Sequence, residues 1–255
     1  MPARAAFRPF FTWFKGREDV ENERKVAHGD LTLEDPLLRA VRRAVAGMLP
    51  DYTGLRVQRD PLQFTVRKEG GETLNLDQLS AGEKGLLALA ADIARRLAIA
   101  YPDSPDPLAE EGVVLVDEIE LHLHPRWQRS VIGSLRRTFP RCQFIVTTHS
   151  PQVLSEVPTE AVVVTDRFAF VRPAAPTSGR DTNAILEEVM DTAARPAETQ
   201  RALDAVSEAI DHEDYPAARA ALDRLTAKLS EDDAEIVRLR GLLEFLTAEV
   251  VGGAA

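Results

Sequence analysis

The sequence predicts an α/β fold: a mainly parallel sheet flanked by helices, with an N-terminal helical segment before it and an α-helical tail after it. Three observations carry this prediction. Two apolar runs, "VVLV" at 113–116 and "FIV" at 144–146, are separated by one amphipathic helical stretch, the spacing of a strand–helix–strand crossover. Phenylalanines at 7, 10, 11 and 14 recur at the i, i+3, i+4, i+7 positions of one helix face. After Pro173 the composition turns small and polar, then helical. The expected limits are a helical segment at 1–50, an α/β core at 51–172, and a linker with an acidic helical tail at 173–255.

Taken in order, "FRPFFTWFKGREDVENERK" reads as a helix that becomes highly charged through Lys25, with Pro9 tolerable only in its first turn. Because Arg4, Arg8, Lys15 and Arg17 accompany the aromatics, a membrane-surface helix is one reading. The ordinary reading is a stripe docked on the protein's own core or on a partner segment. A second helix is expected from Leu33 to Met48. "LRVQRDPLQFTVRKEGGETLNL" alternates around a Gly-Gly turn and predicts short antiparallel strands. In "LSAGEKGLLALAADIARRLAIAY" Ser80 and Glu83 form a capping box that starts a helix. "VVLVDE" reads as a strand buried on both faces of a parallel sheet. "HPRWQRSVIGSLRRTFP" follows as a helix with Trp127, Val131, Leu135 and Phe139 on one face. "QFIVTTHS" is a second buried strand, and "AVVVTDRFAFVRP" predicts two more. Residues 183–250 read as helices broken near Arg195–Pro196, His212–Pro216 and Ser230–Asp233, ending in an antiparallel hairpin.

Composition excludes several classes. The hydrophobic share of 44% is that of an ordinary globular protein. No apolar run approaches the roughly 18 residues of a membrane span, and no apolar core of a secretory signal is present. Cys142 is the only cysteine, so no disulfide forms within the chain. The expectation from these features is a cytoplasmic protein. The net charge of −10 is uneven: the first 180 residues carry 24 basic and 24 acidic side chains, whereas 181–255 carry 7 and 17. The acidic tail repels nucleic acid. One basic stripe, Arg126, Arg129, Arg136 and Arg137, reads first as a solvated helix face and second as a contact for DNA or RNA.

Three features stand at element ends, where catalytic groups are commonly placed. Asp117 and Glu118 end an apolar strand, where an Asp can hold Mg²⁺ and a Glu can orient or deprotonate water. His149 ends the next apolar strand, and a right-handed crossover sets both strand ends on one edge of the sheet. Ser80 and the free N–H groups of the first helical turn make an anion-attracting helix start, with Ala81 and Gly82 leaving room for a phosphate. A metal hydrolase built from His122, His124, His149 and Asp117 is a weaker reading, since His122 and His124 suit a metal only on an extended segment.

Together, "LSAGEKG", "VLVDEIELHLHP" and "FIVTTHSP" match in order and spacing the C-terminal half of an ATP-binding-cassette ATPase head. The chain resembles the RecF-like and SMC-like branch, and within it the bacterial AAA-family proteins that include the PtuA-type ATPase of Septu and retron anti-phage systems. The resemblance spans residues 10–250 and is strongest over 75–151. It implies ATP and Mg²⁺ as ligands, with Asp117 on the metal, Glu118 as catalytic base and His149 at the γ-phosphate. Ser80, Gly82 and Glu83 would contact a nucleotide held by a second head, with Leu123–Pro125 at the dimer seam. Implied partners are a head-to-head homodimer or a separate N-terminal lobe, and an effector such as an HNH-type nuclease. A RecF-like DNA-repair ATPase and a non-catalytic interaction module derived from such a head are the alternatives. A phosphate loop of the G-x-x-x-x-G-K-[ST] type needs a Gly-Lys pair, and none occurs in the 255 residues. The expectation is therefore half of a machine, inactive alone, with Phe7–Phe14 and the parallel strands left as uncovered surfaces.

Overall fold

A computed structural model describes the backbone of residues 2–252 and the side chains of residues 9–247. Two compact units result, residues 1–185 and 186–255.

In the first unit, helix α1 (Pro2–His28) runs into α2 (Pro36–Met48). Phe10 and Phe14 of α1 are 5% and 0% exposed and pack on Phe64, with ring centroids 5.7 and 5.2 Å away. The aromatic stripe therefore docks on the protein's own core, and neither the membrane reading nor an uncovered stripe applies to these two rings. Phe7, Arg4 and Arg8 have side chains outside the described ones. Pro9 lies inside α1, beyond the first turn. That corrects the expectation: the packing of Phe10 and Phe14 directly after it holds the helix despite the lost N–H.

Two acids in the charged half of α1 are buried and ion-paired rather than solvated. Glu18 and Glu21 are 4% and 3% exposed. Arg42 of α2 reaches both, with Nη1 2.9 Å from Glu21 Oε2 and Nη2 3.3 Å from Glu18 Oε1. The Asp35 N–H donates to Glu21 at 2.7 Å, and Asp35 in turn caps α2. Arg59 and the Val57 N–H donate to Glu18, each at 3.0 Å. Burial pushes the Glu21 carboxyl upward, but hydrogen bonds from Arg42, the Asp35 amide and Lys25 outweigh it and hold it below the ordinary carboxylate range. Val57 and Arg59 belong to β1 (Tyr52–Arg59), which pairs antiparallel with β2 (Leu62–Lys68), itself paired with β3 (Thr73–Asn75) across a turn at Gly70 and Gly71.

Helix α3 (Ala81–Ala100) leads to β4 (Gly112–Val116), α4 (Pro125–Thr138) and β5 (Cys142–Val146). As expected, β4 and β5 pair parallel, in register from Gly112↔Cys142 to Val116↔Val146. Val131, Leu135 and Phe139 are buried beside them. The strands differ from expectation in burial. Val114, Val116, Phe144 and Val146 pack on the core, whereas Val113, Leu115 and Ile145 are 61%, 75% and 53% exposed. An apolar run presents the same chemistry on both faces, so it cannot say which one the described helices cover. Beyond the short α5 (Pro151–Leu154), β6 (Val164–Asp166) and β7 (Ala169–Val171) form a separate antiparallel hairpin.

Helix α6 (Thr182–Glu188) is followed by α7 (Ala197–Asp211), α8 (Tyr215–Leu229) and α9 (Ala234–Gly252), with breaks where the sequence indicates. Leu203, Val206, Leu222, Leu225, Ile236, Leu239 and Leu243 make a second core. No helix among the described residues is long and apolar enough to cross a membrane.

Glu21→Ala leaves the Asp35 amide without its acceptor and Arg42 with Glu18 as its remaining carboxylate, so urea unfolding should show a loss of about 2 kcal/mol. Because the Glu21 carboxyl is held low when folded, the unfolded chain binds its proton more readily. The stabilisation is present above the ordinary Glu range and is lost as pH falls through the lower folded value. Glu21→Gln should flatten that acid limb in a pH series of melts.

Candidate functional site

The register of β4 and β5 sets Asp117 and Thr147 side by side at the end of the sheet. The Thr147 hydroxyl donates to Asp117 Oδ1 in a short hydrogen bond and accepts the Glu118 N–H at 2.8 Å. The Thr147 N–H donates to Val116 O at 3.0 Å, and the Ile119 N–H donates to Thr147 O at 3.1 Å. One residue thus fixes the carboxylate of Asp117 and the backbone of Glu118 together. Asp117, Glu118 and His149 are all exposed on this edge.

The turn after β4 is held in costly backbone geometry. Glu118 and His122 have φ of 50° and 63°, the left-handed region that non-glycine residues avoid. Hydrogen bonds from the Leu121 N–H to Glu118 O and from the Leu123 N–H to Glu120 O, both 2.9 Å, offset that strain. Strain kept at a strand end is a mark of functional sites.

Glu120 joins the two strand ends at a second point. Its Oε1 accepts the His149 N–H at 2.6 Å, while its Oε2 is buried without a hydrogen-bond partner. Beyond His149, Ser150 caps α5 and donates to Gln128 Oε1 at 2.7 Å, and Gln128 Nε2 donates to Leu123 O at 2.9 Å. The segment carrying His149 is therefore tied at Glu120 and through Gln128 to the turn that carries Glu118.

Ser80 caps α3, and Glu83 accepts the Ser80 N–H at 2.7 Å and the Tyr52 hydroxyl at 2.6 Å. Burial raises the Glu83 carboxyl, but the Tyr52 hydroxyl and the Ser80 amide outweigh it and leave it lowered. Burial and then the bond to Glu83 push the Tyr52 hydroxyl up to about 12. Gly82 is buried, and a Cβ there would stand 2.7 Å from the His122 carbonyl oxygen. Its missing side chain permits close contact with the strained turn of the same chain. Ser80 remains exposed.

The histidines do not converge. His124 caps α4, its Nδ1 accepting the Arg126 N–H at 3.2 Å, and among the described residues no group of three His, Cys, Asp or Glu stands close enough for a metal. The four arginines of α4 are exposed, with Arg129 3.6 Å from Glu156 and Arg137 bonded to Ser134. Sequence reading missed Thr147, Glu120 and Gln128. A threonine pair before the histidine and a third acid after Asp117-Glu118 were the available signals, but only the strand register gives them partners.

The profile of the family described as "AAA domain, putative AbiEii toxin, Type IV TA system" matches residues 4–155, and the chain belongs to that family. It is 40% identical over 185 residues to the retron Ec83 probable ATPase of Escherichia coli, covering 71% of this chain and 34% of that protein. It is 36% identical over 122 residues to the Septu protein PtuA of Bacillus mycoides (strain KBAB4), covering 48% of this chain and 16% of that one. The chain thus spans about a third of the retron protein's length and less of PtuA. Both relatives fall within the group that the sequence motifs resemble. Among solved structures, the SMC head domain from Thermotoga maritima overlaps 55% of this chain and 48% of its own, at 22% identity and a TM-score of 0.39.

Glu120→Ala should free the His149 amide, speeding its hydrogen exchange about tenfold or more, as expected for a bond to a charged acceptor. Glu120→Gln retains an accepting oxygen and should keep the protection. Equal exchange in the parent and Glu120→Ala would show that the clamp does not form in solution.

Proposed function

We propose that this member of the AAA-domain family carries the hydrolytic edge of an ATPase head, with Asp117 and Glu118 as the Walker B carboxylates. The observation that carries this reading is the Thr147 hydroxyl, which binds Asp117 and the Glu118 amide at the end of two parallel strands. Asp117 keeps one carboxylate oxygen clear of Thr147. That suits Mg²⁺ in a nucleotide complex, which takes one or two protein carboxylates and draws its other ligands from phosphates and water. When bound, the cation neutralises charge developing on the transferred phosphate.

Glu118, exposed and aimed by a strained φ, accepts a proton from the attacking water. His149, held by the Glu120 clamp, bonds the γ-phosphate. The start of α3, with exposed Ser80, faces the nucleotide of a second head, and Glu83 acts there by keeping the cap formed. Gly82 links that helix start to the turn after Glu118 through His122, so pairing of heads at α3 reaches the hydrolytic edge. The phosphate grip comes from a G-x-x-x-x-G-K-[ST] loop outside the 255 residues. The kinship with retron and Septu ATPases supports a cytoplasmic anti-phage role, in which ATP-driven head pairing releases or restrains an effector such as an HNH-type nuclease.

The test measures Mg²⁺-dependent ATP turnover of the chain alone and combined with a lobe carrying that loop. Turnover should need the lobe, and Glu118→Gln should cut kcat by about 10²–10⁴ while leaving ATP binding intact. Wild-type turnover in Glu118→Gln removes Glu118 as the base. Turnover by the chain alone removes the need for the lobe.

A further inference from the structure

Between Glu120 and Glu156 the sequence holds no aspartate or glutamate, although acids make up 41 of the 255 residues. The same stretch carries five arginines. Arg141 is held by Glu110 and Glu111, and the other four lie on α4. At 3.6 residues per turn, Arg126, Arg129, Arg136 and Arg137 share about a third of the helix circumference with Ser130 and Gly133. The opposite face is buried through Val131, Ser134 and Leu135. The four charges are scarcely neutralised. Arg129 stands 3.6 Å from Glu156, and Arg137 donates to the uncharged Ser134 hydroxyl at 3.1 Å. Arg126 and Arg136 make no side-chain hydrogen bond or ion pair among the described residues.

Gly133 stands in the middle of this face, where glycine weakens a helix. A Cβ there would come 3.1 Å from Arg137 Nη1, so the bare backbone gives that guanidinium room to lie along the helix. Gly133, Arg136 and Arg137 border an open depression of about 400 Å³ whose lining includes no acid.

Like charges gathered on one helix face repel one another and favour a polyanion. The character of the face narrows the choice. A protein partner needs an apolar centre to the contact, and an amphipathic membrane contact needs apolar side chains to insert. Neither is offered: Val131, Leu135 and Phe139 are buried, and Trp127 packs on the core. For the same reason no exposed aromatic of α4 is present to stack single-stranded bases. A duplex needs only its phosphates met. From Arg126 to Arg137 the helix rises about 16 Å, a length over which a duplex presents about ten phosphate charges.

We propose that the outer face of α4 binds the phosphate backbone of a nucleic-acid duplex through Arg126, Arg129, Arg136 and Arg137, without reading base sequence. The missing side chain at Gly133 lets the backbone come close between the arginine pairs. Residues 181–255, with 7 basic and 17 acidic side chains, oppose binding and keep it in the weak, sequence-independent range. The inference does not rest on the ATPase reading.

Fluorescence anisotropy of a labelled duplex of about 20 base pairs, with the whole chain in EDTA and without nucleotide, measures Kd as salt is raised. Kd should fall within about 10⁻⁶–10⁻⁴ M near physiological salt, and log K should decline against log salt with a slope of about −3 to −4, for four phosphate contacts. Each of Arg126→Gln, Arg129→Gln, Arg136→Gln and Arg137→Gln should make that slope shallower by about 1, equally for unrelated duplex sequences. Arg136→Lys with Arg137→Lys keeps the charge and should bind within about threefold of the parent. Arg219→Gln, an exposed arginine of the tail, should leave the slope unchanged. Thermal melts should be the same for all of these, because the substituted side chains are exposed. DNA and RNA duplexes run side by side identify the form bound, and either one supports the proposal. Absence of binding at about 50 mM salt overturns it, as does a fourfold Arg→Gln variant that binds like the parent. Tighter binding to single-stranded DNA, or to phosphatidylserine vesicles, overturns the duplex as the occupant.

Discussion

The parallel pairing of β4 with β5, in the register that ends at Val116↔Val146, is the constraint on which the candidate site depends. That register brings Thr147 beside Asp117, and from there one hydroxyl and two backbone bonds set the path of the turn. A slip of one residue would turn every side chain of one strand to the opposite face. It would also separate the Thr147 hydroxyl from the carboxylate. The strain at Glu118 and His122 is tolerable because this pairing over-determines the turn.

Support for the register comes from beneath it. Val114, Val116, Phe144 and Val146 rest on a core continuous with α2, α3 and α4, and α2 is fixed to α1 by Arg42 between Glu18 and Glu21. Such a buried cluster is weak evidence for large net stability, because desolvation opposes the Coulomb attraction. It does dictate geometry: the carboxylates accept the Val57 and Asp35 amides, so α1 can seat in one place only. The aromatic packing of Phe10 and Phe14 on Phe64 supplies the non-directional attraction, and the charges select the position.

Among the described residues, large apolar side chains stay open on one face of β4 and β5, at Phe168 and Phe170 of the β6–β7 hairpin, and along the outer line of α9. On the sheet face Val113, Leu115 and Ile145 share the surface with exposed Gln143, and on α9 Val237 and Phe245 stand on either side of Gly241. Large exposed apolar side chains in groups mark association surfaces in general.

By itself the sequence determined the helices, their caps and breaks, the antiparallel strands, the parallel pair and the positions of Asp117, Glu118 and His149 at strand ends. These are local properties, written in periodicity, capping residues and short motifs. Tertiary structure alone decided that Thr147 and Glu120 bind the two strand ends together. It also decided that Gly82 yields space to the His122 carbonyl, that Glu18 and Glu21 are buried, and that the strands are bare on one face. Each of those facts joins residues from separate elements, up to 41 positions apart in the case of Glu18 and Arg59. Periodicity is silent on such pairs, because it records which face of an element is apolar and never what arrives to cover it.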